Sequence, residues 1–166
     1  MRWGDYLVCM SFRIVGLDVE RFRPLFGLSD EELAKRNVVR VVADEKPGFP
    51  CRVSPRDAEI GERLLLMNYE HQPAESPYRA SHAIFVIENP DVERYDEVDG
   101  IPDVLRVRQL SVRSFDEGGM MLDAEVIEGA VLEPLIERLF GEPRTAYLHV
   151  HNAKRGCYAA RVDRVK

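Results

Sequence analysis

The residues best suited to chemistry lie in the stretch TAYLHVHNAKRGCYAARVDR, from Thr145 to Arg164. His149 and His151 alternate within a strand-like run, and Cys157 opens a second such run after a short loop. Two imidazoles and a thiolate make a three-ligand set for zinc or another transition metal, with a fourth position left for water. The same groups suit nucleophilic catalysis, with Cys157 and His151 as thiolate and base and Asn152 as an orienting amide. No CxxC or HExxH spacing and no cysteine-enzyme signature accompanies them. The competing reading is plainer: the histidines meet solvent on the polar face of a terminal hairpin, and Cys157 packs as a small apolar thiol.

Arginines extend this constellation. Arg52 follows a Pro-Gly turn, Arg79 sits in SPYR, and Arg161 lies on the histidine side of the second run. Guanidinium forks recognise carboxylate and phosphate groups, so convergence of the three would make a site for a small acidic molecule. The alternative pairs each arginine with one of the many acidic residues. His82, His71 and Cys51 are further ligands if the fold brings them close. The reading is a small-molecule or metal pocket walled by the hairpin and by the Cys51 and Arg79–His82 segments. Its residues are His149, His151 and Cys157 as metal ligands or catalytic groups, with Cys51, Arg52, Arg79, His82, Asn152 and Arg161 as ligand contacts. The alternative is a non-catalytic ligand-sensing or protein-interaction module with no metal. The sequence decides neither whether the chain is an enzyme nor its oligomeric state.

Positioning falls to the hairpin. Alternate strand residues share a face, so Tyr147, His149 and His151 stand opposite Ala146, Leu148 and Val150. In the second run, Cys157, Ala159 and Arg161 stand opposite Tyr158, Ala160 and Val162. A five-residue loop, Asn152 to Gly156, makes the apolar sets coincide, and register follows the buried face. It places His151 opposite Cys157, His149 opposite Ala159 and Tyr147 opposite Arg161.

Upstream, strands are expected at Ser11–Gly16, Val38–Ala43, Cys51–Val53, Glu62–Tyr69, His82–Glu88, Leu105–Arg108 and Met120–Ile127. A slip in the alternation near Gln109 predicts a bulge or bend. The weak helical pattern of Asp18–Phe26 is broken by Pro24. Ser29-Asp30-Glu31-Glu32 is a capping box that starts a helix running to about Lys35. Val131–Phe140 carries apolar residues at helical spacing, with Pro134 acceptable in the first turn. His71–Tyr78 reads as a loop and Asn89–Pro102 as a long acidic loop. Strands outnumber helices, which predicts an α+β fold: a mainly antiparallel curved sheet or partial barrel with two or three short helices.

The 166 residues suit one domain. A net charge of −6, with basic and acidic residues intermixed, argues against nucleic-acid binding. No apolar run reaches the ~20 residues that span a bilayer. The start, MRWGDYLVCM, is too short and interrupted by Asp5 to be a signal peptide. A cytoplasmic location follows by default, with the cysteines as thiols. Met10 is an alternative start, which makes residues 1–10 an extension of a domain spanning 11–166.

Three strings carry a family resemblance: KPGFPCRVS at Lys46–Ser54, SPYRASHAIFV at Ser76–Val86, and HVHNAKRGCYAARVDR at His149–Arg164. They resemble the bacterial family DUF1203, a domain of unknown function, over roughly Phe12 to Arg164. The resemblance implies a bacterial, single-domain, soluble protein and favours the start at Met10. It brings no activity, cofactor or catalytic residue with it.

Overall fold

A computed structural model describes residues 10–166. The expected extension, apart from Met10, lies outside the described residues. The strands are β1 (Phe12–Val15), β2 (Val39–Val42), β3 (Arg63–Gln72), β4 (Ala80–Ile87), β5 (Asp96–Val98), β6 (Gln109–Phe115), β7 (Met121–Glu128), β8 (Tyr147–Asn152) and β9 (Tyr158–Arg164). The helices are α1 (Asp30–Ala34), α2 (Asp103–Arg106) and α3 (Leu132–Phe140). Six strands form one sheet in the order β5-β1-β9-β8-β6-β7, and three form a second in the order β2-β3-β4. All strand pairs are antiparallel. The fold is α+β, and its sheets stay open rather than closing into a barrel.

Each sheet has its own core. The large sheet buries Leu110, Val112, Leu148, Val150, Ala160 and Val162 against Leu132, Leu135, Ile136, Leu139 and Phe140 of α3. Those five positions form one stripe of the helix, and Pro134 sits in its first turn, where no backbone donor is needed. The small sheet gathers Leu64, Leu65, Ile84 and Val86 with Phe22 and Leu33. Leu33 comes from α1, whose N-terminus is capped as expected: Ser29 Oγ accepts from the Glu32 amide at 3.2 Å.

The segment Cys51–Val53 is the seam between the halves. Arg52 N donates to Phe85 O of β4 at 3.1 Å, and its carbonyl accepts from Leu17 N at 2.9 Å. A Cβ on Gly16 would lie 1.9 Å from Val53 O, so the chain passes there without room for a side chain. A second tie is the ion pair of Arg108 and Asp57, at 2.6 Å and largely buried.

Several expectations are corrected. Leu105–Arg108 is not a strand: Pro102 and Asp103 open α2, which buries the adjacent pair Val104 and Leu105. A four-residue alternation fits either geometry, and the helix start signal wins. Cys51–Val53 makes isolated bridges only, and Asp18–Phe26 forms two 3₁₀ turns. The acidic loop contains β5, which pairs with β1. His71 belongs to β3 rather than to a loop.

The hairpin register also differs. Tyr147 pairs with Asp163, His149 with Arg161, Val150 with Ala160 and His151 with Tyr158. Asn152 N donates to Cys157 O at 2.9 Å, and Gly156 N to Asn152 O at 2.7 Å. The connecting turn is therefore Ala153–Gly156, one residue shorter than expected. Gly156 takes φ +77° there, a conformation glycine adopts without strain. Alone, the shorter turn would set the apolar residues of one strand against the polar residues of the other. Ala159 restores the phase as the extra residue of a β-bulge between the Val150 and His151 pairs. The bulge also turns Tyr158 away from the Ala160–Val162 face and onto the histidine face.

Candidate metal centre

β8 is buried along its whole length. Leu148 and Val150 enter the core of the large sheet. On the other face, His149 and His151 are 2% and 0% exposed, because the ends of β3 and β4 cover them. The two histidines therefore do not meet solvent.

β3 and β4 bring the remaining histidines. Glu70 pairs with Ser81 and Gln72 with Ala80, so His71 is the extra residue of a second bulge. At this bulge His71 lies against the hairpin. Its ring centroid lies 4.9 Å from that of His151 and 5.6 Å from that of His149. Tyr158 stacks on His71 at 5.2 Å with an interplanar angle of 11°. His82, paired with Tyr69 across the β3–β4 ladder, completes the group through a 2.7 Å contact between its Nδ1 and His71 Nε2. The chain has four histidines, and all four converge here.

One ligand nitrogen from each of His71, His149 and His151 lies within 4.8 Å of the others. Each of these residues also keeps one buried ring nitrogen without a hydrogen-bond partner: His71 Nδ1, His149 Nδ1 and His151 Nε2. Leaving a buried polar atom unpaired costs about 1–3 kcal/mol, and three in one place call for an explanation. Burial, reinforced by neighbouring charge, holds His71 down to about 4 and His149 to about 3. Burial likewise holds His151 to about 3, against the opposing effect of its hydrogen bond to Gly156. The three rings are neutral at pH 7, with lone pairs available.

The other expected residues go elsewhere. Tyr158, not Cys157, faces His151, and the Cys157 sulfur turns to the seam. It accepts from Arg52 Nη2 and from Asn152 Nδ2, both at 3.3 Å. Cys157 thus lies apart from the histidine group, in which His71 joins His149 and His151. Arg52 is 3% exposed and donates to the carbonyls of Tyr158, at 2.6 Å, and Pro50. Burial pulls its guanidinium below the ordinary value. Cys51 is packed in the core of the small sheet, its sulfur accepting from Ile87 N at 3.4 Å. Arg79 pairs with Glu70 at 3.0 Å on the surface. Arg161 pairs with Asp163 and lies 4.1 Å from the Tyr147 ring centroid. The three expected arginines are thus each occupied separately.

Arg113 was not expected. It stands directly opposite His149 in the β6–β8 ladder, and its charge acts on all four histidines. Only its alternation with Ser111, out of phase with Leu110 and Val112, could have placed it on this face from sequence.

A family model described as "Protein of unknown function (DUF1203)" matches residues 48–164. The chain belongs to the DUF1203 family. No curated protein and no solved structure matches it. The DUF1203 match begins at Gly48, later than the Phe12 expected from the three strings. It spans all four histidines, Arg52, Arg113, the bulges in β3 and β9 and the terminal hairpin. Among the described residues no helix is long and apolar enough to cross a membrane.

Proposed function

We propose that this DUF1203 protein binds a transition metal through His71, His149 and His151. The observation that carries the proposal is the convergence of three buried imidazoles, each with an unpartnered ring nitrogen. The surroundings support it. His151 Nδ1–H donates to Gly156 O at 2.9 Å, which leaves Nε2 as the lone-pair nitrogen. With His71 Nε2 donating to His82 Nδ1, His71 Nδ1 presents its lone pair as well. Such outer contacts orient metal-bound histidines. Imidazole sets of this kind suit zinc, copper, iron or nickel. A tetrahedral zinc ion draws its nitrogens to roughly 3.3 Å from one another, given bonds of about 2.0–2.1 Å.

Three nitrogen ligands leave a position open for water or a substrate, the arrangement of catalytic rather than structural zinc sites. A bound ion would acidify that water and polarise a carbonyl or phosphoryl oxygen. His149 and His151 serve as ligands in this reading, and Cys157 does not.

Elemental analysis of untagged protein purified without chelator tests it. The expected result is close to one equivalent of metal, lost in His149→Ala and in His71→Ala and retained in Cys157→Ser. Metal-free protein that also takes up no zinc or cobalt on addition overturns it, as does metal that survives His149→Ala.

A further inference from the structure

Two arginines flank His149 across its strand. Arg161 of β9 and Arg113 of β6 are each paired with it in the ladder. Paired residues on one face have Cβ atoms about 4.5–5.5 Å apart, so both guanidinium groups belong to the histidine neighbourhood. Their occupancy differs. Arg161 is held by Asp163 at 2.9 Å and by the Tyr147 ring. Arg113 makes one long hydrogen bond, Nε to Ser111 Oγ at 3.4 Å. Among the described residues its terminal nitrogens have no hydrogen-bond partner, and no carboxylate pairs with it.

Among the described arginines that are not exposed, Arg52 and Arg164 also lack a carboxylate but donate to backbone carbonyls, whereas Arg113 leaves its terminal nitrogens without a partner. Beside a metal site such a guanidinium repels the ion. The three metal ligands are neutral, so a divalent ion keeps its full charge and Arg113 adds another. None of the described carboxylates belongs to the group. Such a site lacks negative charge, and its missing component is an anion. His149, His151 and His71 are buried, whereas His82, Ser111 and Arg113 are half-buried and mark the solvent side.

We propose that Arg113 holds a small oxyanion, a carboxylate or phosphate group, against the open position of the three-histidine site. Terminal guanidinium nitrogens bind two oxygens of such a group in parallel. In this arrangement one oxygen of the anion faces the metal; a phosphate then offers two more to the Arg113 fork, and a carboxylate offers one. This rests on the metal reading for its geometry, but the Arg113 contribution is separable from it.

The test uses cobalt-loaded protein, titrated with inorganic phosphate and with acetate while the visible cobalt bands are followed. Wild type should bind at least one of the two with a spectral change. Arg113→Gln should retain its cobalt and bind that anion roughly ten- to a hundredfold more weakly, the loss expected for one charge-assisted contact. Arg161→Gln should bind it as wild type does. Equal affinity in wild type and Arg113→Gln, or no binding of either anion by cobalt-loaded wild type, overturns the proposal. If wild type takes up neither cobalt nor zinc, the metal reading fails, and calorimetric titration of phosphate and of acetate into metal-free protein decides the anion site alone. Binding lost in Arg113→Gln upholds it, and absence of binding overturns it.

Discussion

Arg52 carries a guanidinium into the interior with backbone carbonyls, a sulfur and no carboxylate for company. Its removal leaves the Pro50 and Tyr158 carbonyls without that donor, at about 1–3 kcal/mol for each group left unpaired. Arg52→Leu should therefore lower the free energy of unfolding by several kcal/mol in urea titration, whereas Arg79→Leu, on the surface, should change it by less than about 0.5 kcal/mol. The two arginines looked alike in sequence, each following a proline-containing turn. What separates them is burial, which depends on distant strands. The same holds for the histidines. The alternation of His149 and His151 was legible because strand geometry puts i and i+2 on one face. His71 was legible only as a candidate that the fold had to deliver, since Pro73 and Pro77 made its segment look like a loop. Arg113 carried no local mark, because its significance lies in the carboxylate it lacks.

At the scale of elements, the bulge in β9 does what a regular ladder cannot, since an unbroken β9 would send Tyr158 into the large core with Ala160 and Val162. The hydrophobic pattern was enough to predict β2, β4, β7, α3 and the hairpin. It did not locate the bulges, because one extra residue shifts phase without changing composition. Where two geometries share a pattern, as at Leu105–Arg108, the proline just before the helix decides. Elements that pattern did predict should respond as packed elements do. Ile136→Ala in α3, where Ile136 is 1% exposed, should cost about 2–5 kcal/mol, measured by denaturant unfolding. Gly16→Ala sets a methyl against the Val53 carbonyl and should lower the thermal midpoint, although alanine is usually the better backbone residue.

The whole molecule is two sheets, each with its own core, joined by the Cys51–Val53 segment, the Arg108–Asp57 pair and the histidine cluster. Asp57→Ala leaves a largely buried Arg108 without its partner and should cost about 3 kcal/mol, read as a lower urea midpoint. The proposed ion would join the same halves, since His71 lies in the small sheet and His149 and His151 in the large one. Saturation at a hundredfold excess over Kd adds about 2.7 kcal/mol, which raises Tm by roughly 5–10 °C for a domain of this size. Calorimetry with and without zinc should show that rise, and His71→Ala should abolish it.

Because the donors come from opposite sides of the seam, any parting of the sheets would take His71 from His149 and His151 and speed the release of an ion bound there. Exchange of a bound radioactive isotope for a cold one would then be a clock for a motion that no single residue reports. Substitutions far from the histidines, at Gly16 or Asp57, would make that clock run faster while leaving every donor atom in place.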